Sequence, residues 1–149
     1  MITATEADAL AERAHGDERN HSGMRYIDHV RRVADGVKND PDQYAVSAAL
    51  LHDTVEKAGM SWDDLRAAGA DDRLLELVDA LTEREGEPES SYLARAADDP
   101  VALRIKRVDI EDKLYGPLGE SLTEEQRRRA HERARRRLDL LERLAGERA

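Results

Sequence analysis

The chain has 149 residues, of which 38% are charged, and a formal charge of -9 at pH 7, so it is long enough for one domain with a proper core but has little apolar surplus. That acidic balance argues against general nucleic-acid binding, which needs a basic surface to neutralise phosphates. With no cysteine, disulfides, thiolate metal sites and cysteine nucleophiles are excluded together, and any metal must be held by His, Asp and Glu. No stretch approaches the roughly 18 apolar residues of a membrane span, and the opening "MITATEADALAERA" lacks the basic and apolar sections of a secretory signal. A single domain over residues 1–149, cytoplasmic and without membrane contact, is the expectation.

Apolar residues recur at helical spacing almost throughout, with no alternating strand segment, so the chain reads as all-α, a compact bundle of about six to eight helices. A first helix is predicted from Thr5 to His15, capped by Thr3 or Thr5 and followed by the polar loop "GDERNHSGMR". A second starts near Tyr26 and ends before "NDP". Asp42 then opens "DQYAVSAALLHDTVEKA", which is apolar around most of its circumference, hence central, and is ended by Gly59. Ser61 caps "SWDDLRAAG", Asp71 begins "DDRLLELVDALTE", and Pro88 fits the first turn of "PESSYLARAAD". Asp98 or Asp99 before Pro100 repeats that start signal for "PVALRIKRVDIEDKLYG". The segment "GPLG" breaks this helix, and the capping box "TEEQ" at Thr123 opens the last one.

The last helix carries "RRRAHERARRR", but Ala130, Ala134, Leu138, Leu141 and Ala145 form one apolar stripe, and Glu124, Glu125 and Glu132 each stand four residues before an arginine. It reads as an ion-paired packing helix, with His131 on its surface.

The remaining histidines differ in context. His15 ends a helix, where positive charge suits the dipole, and reads as structural. His21 lies in a polar loop. His29 shares a helical phase with Val33 and Val37, which turns it inward. His52 and Asp53 stand side by side at the end of the apolar run "AALLHDTVEK", where burial without a partner costs roughly 1–3 kcal/mol or more for each. Asp109, or Asp112 on nearly the same face, is set in the apolar context "LRIKRVDIEDKL". Two imidazoles and two carboxylates from three helices make a mixed nitrogen and oxygen shell, which suits a divalent first-row metal. Open positions on such an ion can take water and a phosphate oxygen, the requirement of phosphoester hydrolysis.

These stretches resemble the HD-domain metal-dependent phosphohydrolases, and most closely the hydrolase domain of RelA/SpoT-type proteins and the stand-alone small alarmone hydrolases. That family carries a pattern like "AHxGQxRxxGxPYIxHPxxVA", then "AALLHDxVED", then "KLADxxxN". Here the corresponding stretches are "AHGDERNHSGMRYIDHVRRVA", "AALLHDTVEK" and "KRVDIEDK", in the same order over roughly residues 8 to 145. The resemblance implies an HD-domain helical bundle, metal ligation by His29, His52, Asp53 and Asp109, usually of Mn2+, and a nucleotide substrate. It selects Asp109 over Asp112, and it matches Glu56 to the first acid of a pair that positions or deprotonates the attacking water. For the substrate it implies removal of the 3'-pyrophosphate from guanosine tetraphosphate.

The chain departs from this pattern at several positions. Lys57 replaces the second acid of the pair and Lys113 the asparagine that follows the last ligand. Asn20 stands where an arginine is common, Arg25 replaces the proline before Tyr26, and Val30 replaces the proline after His29. An ammonium group cannot serve as the acidic partner in water activation, but it can bind phosphate as a point charge. Lys57, Lys113 and His21 are therefore candidate phosphate-binding residues. The alternative is a module that keeps the pocket and has lost its chemistry; the remaining one is an unrelated helical interaction protein.

Overall fold

The computed structural model describes residues 1–119 and 121–149, which form eight α-helices with one isolated bridge between Arg19 and Arg25. They are α1 (Ala4–His15), α2 (Tyr26–Gly36), α3 (Ala45–Leu51), α4 (Trp62–Ala67), α5 (Asp72–Ala80), α6 (Glu89–Ala97), α7 (Pro100–Tyr115) and α8 (Glu124–Glu147).

The caps follow local chemistry. Thr3, not Thr5, starts α1 through a reciprocal capping box with Glu6. Ser61 and Thr123 do the same for α4 and α8, with Asp64 and Gln126 as their partners. Asp71 caps α5 by accepting from the amide of Leu74, and Asp99, not Asp98, caps α7 ahead of Pro100. Pro88 lies one residue before α6 rather than in its first turn.

The third helix is much shorter than its sequence suggests. It ends at Leu51, and His52 to Ala58 form a series of turns. The cause is competition for carbonyls. His52 Nδ1 takes the carbonyl of Ala49 at 2.5 Å, and Thr54 Oγ1 takes that of Leu51 at 2.8 Å. Its start is displaced as well, because Asp42 accepts from the amide of Tyr44 in a turn ahead of the helix.

The largest apolar cluster joins α1, α2, α3, α5 and α7 through residues such as Ile27, Val30, Leu51, Leu74, Leu77 and Ile105, all under 2% exposed. Helix α7 is the common wall, because its other side packs on α6 and α8 through Tyr92, Leu93, Ile110, Leu114, Ala134 and Leu141. The apolar stripe of α8 thus faces inward, and Arg128 and Arg129 pair with Glu125 and Glu132 on its outer side, where His131 is exposed. Of the expected four-residue pairs on this helix, Glu125 with Arg129 forms; Arg128 turns to Glu125 and Glu132 instead of Glu124. Gly36 lets α2 approach α7 closely, since a Cβ there would overlap Val108 Cγ1. This approach sets the spacing between the two helices that carry His29 and Asp109.

Candidate metal centre

His29 comes from α2, His52 and Asp53 from the turns after α3, and Asp109 from α7; each is 6% exposed or less. One ligand atom from each lies within 4.8 Å of all the others. His29 Nε2 is 2.9 Å from Asp109 Oδ1, and His52 Nε2 is 2.9 Å from Asp53 Oδ2 and 3.5 Å from Asp109 Oδ1. His52 and Asp53 both reach the cluster from the point where α3 gives way to turns.

Partners outside the cluster fix the direction of each side chain. His52 donates from Nδ1 to the carbonyl of Ala49, which leaves Nε2 facing the cluster. Despite its carboxylate neighbours, that nitrogen makes no well-aligned hydrogen bond and is buried. His29 Nδ1 bonds Asp112 Oδ2 at 2.6 Å, and Asp112 is gripped in turn by Arg32 at 2.8 and 3.1 Å. The hydroxyl of Tyr26 donates to Asp53. The buried ammonium of Lys106 donates to Asp109 Oδ2 at 2.8 Å and to the hydroxyl oxygen of Tyr92 at 2.5 Å, while that hydroxyl donates to the carbonyl of Leu81.

The electrostatics show a site that demands positive charge. Burial alone would lower the pKa of His52, but the charges of Asp53 and Asp109 outweigh it and push the group up to about 10. His29 is raised the same way: desolvation opposes, and Asp109 and Asp112 prevail. Burial would raise Asp109, yet Lys106, Lys113 and the two imidazoles hold it well below the usual carboxylate range. Two inward nitrogens, two inward carboxylates and an unpartnered His52 Nε2 fit a divalent cation, with the outer hydrogen bonds that orient metal-binding imidazoles already in place.

The other residues singled out in the sequence lie toward the surface. Glu56 is 27% exposed at its side chain and accepts from the amide of Glu83 at 3.2 Å, with Lys57 Nζ 3.6 Å from its other oxygen. Lys57 and Lys113 are exposed, and Lys113 Nζ reaches 3.6 Å from Asp109 Oδ1. His21 is exposed in the loop between α1 and α2. Asn20 organises that loop, because its Oδ1 accepts from Ser22 N, Ser22 Oγ and Met24 N. Val30 is core, and Arg25 leans toward Glu12. Sequence reasoning passed over Tyr26, Arg32, Lys106 and Tyr92. Helical spacing carried a signal for three of them, since Tyr26, Arg32 and Lys106 each stand three residues from a cluster residue on the same helix.

The model of the HD domain matches residues 7–115, from within α1 to the end of α7. The chain belongs to the HD-domain family. The fold of this HD protein resembles a solved structure described as a metazoan ortholog of SpoT that hydrolyzes ppGpp and plays a role in starvation responses. That similarity has a TM-score of 0.74 at 23% identity and covers 95% of this chain and 86% of the other. No curated protein matches the chain. Among the described residues, no helix is long and apolar enough to cross a membrane.

Proposed function

We propose that this HD protein is a metal-dependent phosphohydrolase acting on a nucleotide phosphoester. The observation that carries the reading is the buried cluster of His29, His52, Asp53 and Asp109 with the orphaned Nε2 of His52 turned into it. These four would hold a divalent ion, with Mn2+ the first to test. When bound, such an ion polarises a P–O bond and lowers the pKa of water toward neutrality.

The chain's own residues supply the rest. Glu56, whose carboxylate accepts from the amide of Glu83, would take a proton from the attacking water. The water oxygen bonds to phosphorus as the bond from phosphorus to the ester oxygen breaks, and that oxygen leaves as an alcohol with a proton from solvent, while Glu56 returns to solvent the proton it took. Lys57, Lys113 and His21 are exposed cationic or donor groups that can bind the remaining phosphate oxygens. Guanosine tetraphosphate, losing its 3'-pyrophosphate, is the first substrate to test, because the solved relative is described as hydrolysing ppGpp. The two lysines widen the choice to other nucleotides and to phosphorylated dinucleotides.

The test is turnover of such a panel by protein stripped of metal and reloaded with Mn2+, beside Asp53→Ala and Glu56→Ala. Release of phosphate or pyrophosphate by the wild type, lost in both variants while Glu56→Ala keeps its metal, is the expected result. Measurable nucleotide binding without turnover would favour the module that has lost its chemistry, with Lys57 as the cause.

A further inference from the structure

Asp109 has an ammonium group on each of its oxygens. Lys106, 3% exposed, lies on Oδ2, away from the histidines, and is locked there by Tyr92. Lys113 Nζ stands 3.6 Å from Oδ1, the same oxygen that faces His29 Nε2 at 2.9 Å and His52 Nε2 at 3.5 Å. The two lysines are not equivalent. Lys106 is fixed and leaves the inward oxygen free, whereas the side chain of Lys113 is 42% exposed and can swing into solvent on its own four-carbon stem.

We propose that Lys113 is a tethered competitor for the cation, and that its displacement links metal loading to phosphate binding. This inference rests on the metal site assigned to the cluster. A divalent ion and the Lys113 ammonium seek the same oxygen of Asp109, so each weakens the other there. Once displaced, the ammonium stands free at the rim of the site, where a phosphate can hold it away from Asp109. By reciprocity, a phosphate that draws Lys113 outward strengthens metal binding by the factor with which metal strengthens phosphate binding. An uncharged residue at position 113 would leave only the imidazoles of His29 and His52 beside Oδ1 and would remove this link.

The experiment is titration of Mn2+ into metal-free protein, followed by calorimetry or by the loss of free-Mn2+ electron paramagnetic resonance, with and without inorganic phosphate. Wild type, Lys113→Asn, Lys57→Gln and Asp53→Ala are compared. Lys113→Asn should bind Mn2+ roughly tenfold more tightly than wild type without phosphate, and phosphate should then improve its affinity by a smaller factor. Lys57→Gln, which removes an equal charge whose partner is Glu56, should leave the Mn2+ affinity without phosphate within about twofold. Unchanged Mn2+ affinity in Lys113→Asn overturns the inference. So does an equal gain in Lys57→Gln, which would mean that net charge alone acts. Wild type that binds no more Mn2+ than Asp53→Ala would instead remove the metal site itself, and the inference with it.

Discussion

Asp112 holds His29 from behind: its Oδ2 lies 2.6 Å from His29 Nδ1, one turn along α7 from the Asp109 oxygen that faces Nε2 of the same ring. One helix thus brackets the imidazole with two carboxylates, and Arg32 neutralises the outer one with a two-point contact. The inner nitrogen is consequently oriented before any ion arrives. Outer-shell carboxylates of this kind typically contribute a factor of about 10–100 to metal affinity. Asp112→Ala should therefore weaken Mn2+ binding by roughly that factor while leaving one ion per chain, and Asp112→Asn should weaken it less. Calorimetric titration of the three proteins checks this, and full affinity in Asp112→Ala would show that packing alone orients His29.

The protons on the two cluster imidazoles make the metal-free fold sensitive to pH. His29 and His52 have values above the ordinary 6.5, and that of His52 is about 10. The stabilisation from His52 is fully present below pH 6.5 and is lost as the pH rises toward 10, and that from His29 is lost in the same direction. A divalent ion replaces those protons, so its binding releases them and strengthens as they become easier to lose. The melting temperature of chelator-treated protein should fall between about pH 6.5 and about pH 8.5, and the rise produced by Mn2+ should grow over the same interval. Asp53→Ala should show almost no rise at either pH. Scanning calorimetry with and without Mn2+ measures both effects.

Much of this was legible in the chain because its strongest signals are local. The caps at Ser61, Asp71 and Thr123 are set by residues three positions apart, and His29, His52 and Asp53 stood out as polar groups in apolar phase, with the family resemblance adding Asp109. The end of α3 at Leu51 was not legible. It depends on His52 and Thr54 taking carbonyls that the apolar pattern assigns to a continuing helix. Nor could spacing divide the work between Asp109 and Asp112, since residues three apart share a face. What separates them is the position of Arg32, contributed from α2, and of Lys106, which is fixed by Tyr92 from α6. Burial of an ammonium such as Lys106 is visible only when the carboxylate and hydroxyl that satisfy it have been brought together by the fold.

The contact of Gly36 with Val108 gives a prediction about stability alone. Alanine is the better helix former by about 1 kcal/mol inside a helix and by less at Gly36, the last residue of α2, so Gly36→Ala would at most modestly stabilise an isolated α2. In the folded chain the added methyl meets Val108 Cγ1 and forces α2 away from α7. Overpacking of this kind costs about 1–3 kcal/mol, so the variant should be less stable in urea. Val108→Ala in the same chain should recover part of the loss, with a coupling between the two sites of about 0.5 kcal/mol or more. Additive effects would mean that the helices separate without strain.

Arg95 joins the outer frame to Glu56. Its guanidinium donates to the carbonyls of Asp79 and Thr82 at 2.8 and 2.7 Å and to both carboxylate oxygens of Glu87 at 2.7 and 2.8 Å. These bonds close the segment between α5 and α6, and the amide of Glu83 in that segment holds Glu56. Arg95→Met should cost about 1–3 kcal/mol of stability, because the carbonyl of Thr82 loses its Arg95 donor while the carbonyl of Asp79 and the carboxylate of Glu87 keep only the amides of Thr82 and Arg84. It should also lower turnover while Mn2+ affinity stays near wild type, since none of its partners belongs to the metal cluster. The clamp has its own acid limit. The hydrogen bonds from Arg95 hold Glu87 down to about 2 from an ordinary value of 4.5, so the stabilisation is present above pH 4.5 and is lost as the pH falls toward 2. Glu87→Gln should remove that part of the acid dependence, and urea titrations at about pH 3 and about pH 6 measure it. If Arg95→Met loses stability yet keeps full turnover, Glu56 is held by the turns that follow Leu51 without help from the α5–α6 segment.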